Sequence, residues 1–334
     1  MSVTRRTRTI LAVVAVVVAL AAVGLGFAGN FLVDFALNPH AEVSMARSIH
    51  SGEVGGIDDY ARTAKLDEGY AEEASAWFES SRQSVAHVAS DGTTLLGWRL
   101  DGASDGTYAD GHTWAVVCHG YIGQPADMAK YAYHFSQLGM NVLMPAARAH
   151  ERNVDTGLIQ MGWRDAHDLI GWIEDIVETD PEARVMLFGV SMGGFEVMAA
   201  SGLDGLPENV KLIVEDCGYT SVWDEFVVQL DNVFGLPSFP LLNVADAACL
   251  LRAGYAFETA SAVESLRSAS VPMLFIHGDA DTFVPFSMLD ECYDACASEQ
   301  KERLVVEGAG HGLASSTDPD LYWGTVDDFL ARWL

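Results

Sequence analysis

Phe188-Gly189-Val190-Ser191-Met192-Gly193-Gly194 is the stretch on which the fold turns. An apolar run over 184–188 leads into it, and a helix-forming run over 195–200 leaves it. Strand, sharp turn and helix with Gly-x-Ser-x-Gly at the turn is the arrangement of a nucleophile elbow. Such a turn holds its serine in a strained backbone conformation and presses its flanks against neighbouring backbone. Side chains at Gly189 and Gly193 would collide there. The serine hydroxyl is lifted clear of the sheet, beside the amino end of a helix.

The pattern alone does not decide. Gly102-Ala103-Ser104-Asp105-Gly106 fits it too, but lies in a polar, Gly/Asp-rich stretch with no strand before it and no helix after it. It reads as a surface loop between two strands, so context selects Ser191.

Moving outward, 84–100 alternates like a β-hairpin with Asp91-Gly92 as its turn. Apolar strands then recur at 113–118, 141–144, 184–188, 210–214, 271–276 and 303–306. Helical patterns lie between them at 126–138, 164–177 and 286–297. This alternation predicts a mostly parallel α/β sheet covered by helices on both faces. The stretch 220–270 breaks the rhythm and has no clear strand. It reads as a helical cap carrying Trp223, Phe226, Phe234, Phe239, Tyr255 and Phe257, with Pro237 and Pro240 as breakers. Those aromatics either line an acyl pocket or pack the cap onto the sheet.

A serine at its ordinary pKa is a poor nucleophile and needs a base within hydrogen-bond reach, oriented by a carboxylate. Two downstream stretches offer them, each where a strand ends and a loop begins. His277-Gly278-Asp279-Ala280-Asp281-Thr282-Phe283-Val284-Pro285 follows one strand, and Glu307-Gly308-Ala309-Gly310-His311-Gly312 follows the last. Asp279 and Asp216 are rival acids to Asp281. His119 and His277 sit in strand-end His-Gly pairs and read as hydrogen-bonded turn residues rather than as the base.

Together these motifs resemble the α/β-hydrolase fold superfamily over 84–334, and most closely its membrane-anchored Bem46-like serine hydrolases. The resemblance implies Ser191 as nucleophile, Asp281 as orienting acid and His311 as base. It also implies an oxyanion hole after Cys118-His119-Gly120-Tyr121, with the backbone N–H groups of Tyr121 and Met192 as donors. One departure stands out. Many relatives carry Asp-x-Arg-Gly-His-Gly after the fourth strand, where this chain has Pro145-Ala146-Ala147-Arg148-Ala149-His150. That loop, and the acyl pocket near it, is expected to differ.

The implied chemistry is hydrolysis of a small-molecule carboxylic ester through an acyl-enzyme, with no cofactor and no metal. Amide, peptide or thioester hydrolysis would use the same machinery. A catalytically inactive, membrane-tethered binding module is the reading from another class. No propeller repeat is readable, which weighs against a large oligopeptidase, and serine rather than aspartate at the elbow weighs against a haloalkane dehalogenase.

Composition bounds the rest. The 334 residues are half hydrophobic, enough for a sizeable core. Arg5, Arg6 and Arg8 precede an uncharged apolar run over 10–29, long enough to cross a bilayer. The basic flank predicts an uncleaved membrane anchor over 1–37 with the remainder outside the cytoplasm, in preference to a cleaved signal peptide. A polar, mostly helical connector over 38–82 and a hydrolase domain over 83–334 follow. Three of the 19 basic residues and none of the 47 acidic ones lie in 1–30, so the remainder carries −31. Nucleic acid and anionic head groups are thereby excluded as partners, and neutral or cationic substrates are favoured. The five cysteines do not form a disulfide framework; Cys292 and Cys296, four apart, lack the further ligands a zinc site needs.

Overall fold

Strands that are apolar on both faces are stable only inside a sheet covered on both sides, and that is where they lie. The computed structural model describes residues 5–45, 48 and 66–334. It has an eight-stranded sheet made of β1 (Gln83–Val88), β2 (Thr94–Leu100), β3 (Thr113–Cys118), β4 (Asn141–Pro145), β5 (Arg184–Val190), β6 (Val210–Asp216), β7 (Met273–Gly278) and β8 (Lys301–Val306). The order across the sheet is β1-β2-β4-β3-β5-β6-β7-β8. β1 pairs antiparallel with β2 and β2 antiparallel with β4, and every later pair is parallel. This is the α/β-hydrolase fold.

The expected strands are all present, with shifted ends. β7 opens after Pro272, which has no N–H to give the ladder. β5 and β6 run on to Val190 and Asp216, carrying the sheet up to the elbow. The hairpin turn forms at Asp91-Gly92, where Gly92 takes φ 84° and Asp91 Oδ1 accepts the Thr93 N–H at 2.9 Å. The second Gly-x-Ser-x-Gly lies in the loop between β2 and β3; a strand, β2, does end just before it at Leu100, contrary to the sequence reading, and what it lacks is a helix after it. A Cβ on Gly102 or Gly106 would fall within 2.4 Å of the backbone at 138–139, so those glycines serve close chain packing.

Helices cover both faces. α1 (Arg5–Leu37) is the apolar amino-terminal helix, and α2 (Glu68–Ser81) is a helix of the connector. The connector's 46–47 and 49–65 lie outside the described residues. α3 (Ala129–Gln137) follows a 3-10 turn at Pro125–Met128, and α4 (Trp163–Thr179) packs on the opposite face. α5 (Met192–Ala200) leaves the elbow and is buried along its whole length. Between β6 and β7 stand the helices of the 220–270 stretch: α6 (Val222–Phe234), α7 (Leu241–Ala253) and α8 (Ala262–Leu266). α9 (Ser287–Ala295), α10 (Ala314–Thr317) and α11 (Pro319–Trp333) complete the chain.

The sheet's strand order reverses between β3 and β5, because β4 returns to one side of β3 and β5 pairs on the other. In such sheets ligands bind outside the carboxyl ends of the strands at this switch point. β3 ends at Cys118 and β5 at Val190, one residue before Ser191.

Candidate active site

Ser191 occupies φ 59°, ψ −115°, a strained conformation for a residue with a side chain. The turn is clamped from both sides. Ser191 N–H donates to the Asp216 carbonyl at 2.8 Å, and the Ser191 carbonyl accepts from Phe195 N–H at 2.9 Å. A Cβ on Gly189 would sit 2.0 Å from the Gly193 carbonyl oxygen, and one on Gly193 would sit 2.2 Å from that of Cys118. Both distances are far inside contact, so the elbow closes only with glycine at these two positions.

His311 joins the loops after β5, β7 and β8. Its Nε2 lies 2.8 Å from Ser191 Oγ and its Nδ1 lies 2.8 Å from Asp281 Oδ2. The nitrogen facing the carboxylate carries the proton, which leaves Nε2 as the acceptor for the serine hydroxyl. Asp281 is buried and fully engaged: Oδ1 accepts the N–H groups of Phe283 and Val284 at 2.9 and 3.0 Å. Burial alone would push its carboxyl up. The adjacent His311, and hydrogen bonds from His277 and His311, outweigh burial and hold it well below the usual carboxylate range. For His311 itself burial favours the neutral ring, but attraction to Asp281 prevails and raises its pKa above the ordinary value.

The rival acids lie elsewhere. Asp216 accepts the Tyr322 hydroxyl at 2.8 Å and is pushed up by burial. Asp279 accepts the Gly308 N–H at 2.6 Å in an exposed turn. His119 holds the loop after β3: Nε2 accepts the Ala147 N–H at 3.0 Å, and Nδ1 donates to the Gly120 carbonyl at 2.9 Å. His277 does more than hold a turn. Its Nε2 faces both the Val284 carbonyl at 3.0 Å and Asp281 Oδ2 at 3.2 Å, so the same carboxylate oxygen receives two imidazoles. A residue pair four apart across a strand end carried no sequence signal for that contact.

Tyr121 and Ser191 line one chamber, and a Cβ on Gly120 would lie 4.0 Å from Ser191 Oγ. Met192 opens α5, so its N–H has no intrahelical partner. Among the described residues no carbonyl takes the Tyr121 N–H. The loop after β3 is strained at Ile122, φ 53°, and His150 Nε2 accepts the Ile122 N–H at 3.1 Å. The His150 Nδ1–H donates to the Arg148 carbonyl at 2.8 Å, and burial depresses its pKa to about 3, so the ring stays a neutral acceptor. The departing 145–150 segment therefore supports the loop that carries Tyr121. Arg148 fixes it in turn, with a bidentate pair to Asp168 at 2.6 and 2.9 Å and a bond to Asp91 at 2.8 Å.

α6 roofs the chamber with Glu225, Phe226 and Gln229. Gln229 Nε2 donates to Glu225 Oε1 at 2.8 Å and to the Phe283 carbonyl at 2.9 Å. Burial pushes the Glu225 carboxyl up to about 8, against the lowering pull of His311. Phe226, Phe234 and Phe257 line cavity surface, whereas Tyr255 is packed against Phe257 and Phe239 is exposed. Cys217, Asp281 and His311 bring three ligand-type atoms within 4.8 Å of one another. Two of these already bond each other, and burial raises the Cys217 thiol well above its usual range, which disfavours the thiolate a metal would require. Cys292 and Cys296 are buried free thiols.

A hydroxyl against an imidazole whose far nitrogen rests on a buried carboxylate can transfer its proton as the oxygen attacks a carbonyl. The sequence profile of the prolyl oligopeptidase family matches residues 131–334. An uncharacterized protein of Bacillus subtilis, YqkD, is 26% identical over 216 residues, covering 64% of this chain and 70% of its own. The esterase Pf2001 of Pyrococcus furiosus superposes with a TM-score of 0.58 at 19% identity, over 76% of this chain and 93% of its own. The acylaminoacyl peptidase of Pyrococcus horikoshii superposes with a TM-score of 0.55 at 16% identity, over 75% of this chain and 41% of its own. At these identities the two structural likenesses speak for the fold.

Proposed function

The chain belongs to the prolyl oligopeptidase family and is a serine hydrolase, and we propose that it cleaves carboxylic esters through an acyl-enzyme on Ser191. The observation that carries this reading is His311 standing 2.8 Å from both Ser191 and Asp281. In the proposed cycle His311 Nε2 takes the Ser191 proton as Oγ bonds to the ester carbonyl carbon. Asp281 holds the imidazole tautomer and stabilises its cationic form. The N–H groups of Tyr121 and Met192 receive the oxyanion, and such donors are worth about 3–4 kcal/mol each in related machinery. His311 then gives its proton to the leaving alkoxide, and a water it activates returns the serine.

An ester is favoured over a peptide because Glu225, Phe226 and Gln229 of α6 line the chamber together with Ser191 and crowd its space. Amide and thioester substrates would follow the same steps. We further infer that α1 anchors the enzyme in a membrane, with Arg5, Arg6 and Arg8 on the cytoplasmic side and the hydrolase domain outside.

The test is covalent labelling of the full chain in detergent micelles by a fluorophosphonate, beside Ser191→Ala. Labelling that disappears in the variant is expected. A folded wild type that resists labelling while 4-nitrophenyl acetate also remains intact would make this a binding module instead. Comparing an acetyl ester with an acylated dipeptide then separates esterase from peptidase.

A further inference from the structure

Beyond the Ser191 chamber lies a second, apolar cavity that is open to solvent on one side. The two share Met45, Phe226 and Gln229. Those three residues stand between the two, and the rest of the second cavity's lining is apolar throughout, with Leu32, Phe35 and Ala36 from α1 together with Leu242 and Phe257 from the cap. Gln229 is the one polar lining residue among those described, and its amide N–H groups are already committed to Glu225 and Phe283. Phe234 lines the cavity and is 38% exposed, so the cavity opens at that point, beside the Phe35 ring 5.1 Å away.

The wall from α1 is built, not incidental. A Cβ on Gly29 would lie 2.5 Å from the Val244 carbonyl oxygen, so α1 and α7 meet backbone to backbone. Arg252 on α7 pairs with Asp34 at 2.6 Å and reaches the Asn30 carbonyl. The Tyr121 hydroxyl donates to the Ala36 carbonyl, joining the end of α1 to the loop beside Ser191. The same helix, nearer its start, exposes Ile10, Leu11, Val14, Val18 and Phe27. At about 1.5 Å per residue its 33 residues reach roughly 50 Å, and a bilayer core uses about 30 Å of that. The remaining turns are those that wall the cavity, so α1 anchored as proposed above would bring its mouth to the membrane surface; Phe31, Leu236 and Phe239 are exposed apolar residues of α1 and the cap.

We propose that this cavity receives the fatty acyl chain of a bilayer lipid ester, entering at Phe234 and lying along α1 with its carbonyl at Ser191. The proposal rests on the hydrolase reading of Ser191. In the reaction the ester C–O bond breaks, the alcohol leaves with the proton carried by His311, and water releases the fatty acid from Oγ. The apolar helix then serves as part of the substrate site, not only as a tether.

Two measurements on the full chain in micelles test it. Ser191→Ala, which cannot turn over, is titrated with a fluorescent dodecanoic acid and followed by anisotropy. Saturable binding is expected, weakened ten-fold or more by Leu32→Trp on α1 and independently by Leu242→Trp on α7. In the Ser191 chain the same substitutions should lower the ratio of kcat/KM for 4-nitrophenyl octanoate over acetate at least ten-fold. Fluorophosphonate labelling of each variant reports that its site is folded. Binding or ratios unmoved in labelled variants would overturn the proposal. Hydrolysis of octanoate without release of fatty acid from phosphatidylcholine vesicles would overturn the bilayer as the source. Dodecanoate binding without any fluorophosphonate labelling would sink the hydrolase reading and leave the acyl site standing.

Discussion

At Ser191 the backbone is held at φ 59° by two flanking glycines whose Cβ positions are occupied by main chain. That constraint is why the elbow was readable: only one of the two Gly-x-Ser-x-Gly matches follows a strand and opens a helix. The proposed acid and base lie in loops that sequence marks as strand ends, and Asp281 rather than Asp216 or Asp279 contacts His311. Replacing Asp281 with Asn should lower kcat by about 10⁴-fold, because the amide favours the wrong imidazole tautomer. The base works neutral, so kcat/KM for an activated ester should rise with pH through a midpoint above 6.5, the raised value of His311. Asp281→Asn should move that midpoint down; a flat profile from pH 6 to 8.5 in the wild type would contradict the assignment. Glu225 carries a separate signature. Its folded pKa of about 8 exceeds the ordinary value of 4.5, so the native state keeps a proton the unfolded chain has lost. Stability from this group therefore falls as pH rises from about 4.5 to 8. Glu225→Gln should remove that part of the slope, read as a difference in melting temperature between the two chains at pH 5 and pH 8.

Elements were legible where burial imposes a period. Each apolar run between helices became a strand, and the errors were at ends such as Pro272 or the 3-10 turn before α3. The loops were not legible, because their geometry depends on partners remote in sequence. His150 takes the Ile122 N–H from 28 residues away, and Arg148 reaches Asp91 from 57. No local pattern encodes such pairings, and the motif comparison could say only that 145–150 departs from its relatives. Physically the departure is an anchoring device: a β-branched residue at φ 53° persists only when its surroundings hold it. Removing the anchor with His150→Ala should let the Tyr121 loop relax away from the oxyanion position. The expected result is a loss of about ten- to a hundred-fold in kcat with KM little changed, a fraction of what deleting an oxyanion donor costs. An equal rise in KM without loss of kcat would mean that the loop shapes the acyl chamber rather than the oxyanion site.

The whole molecule divides by charge and polarity along the chain. Residues 1–30 are basic at the start and apolar after it, and the remainder carries −31. The bare apolar stretch of α1 was legible from composition; its docking through Gly29 and Asp34 was not, since the complementary groups sit on α7 more than 200 residues later. With so many uncompensated carboxylates the field around the hydrolase domain is negative over several kT, and it acts on any charged substrate before contact. A cationic ester should therefore be hydrolysed with a higher kcat/KM than a neutral isostere at about 10 mM salt, where the Debye length is about 30 Å. The advantage should vanish near 1 M salt, where that length falls to about 3 Å and the substrate meets the field only at the chamber mouth. The effect belongs in kcat/KM and not in kcat, because the bound complex already shields the site from the bulk field. Measuring both esters across that salt range separates steering from specific recognition: a preference that survives 1 M salt would mean that the cation is recognised by contact inside the chamber and not by the long-range field.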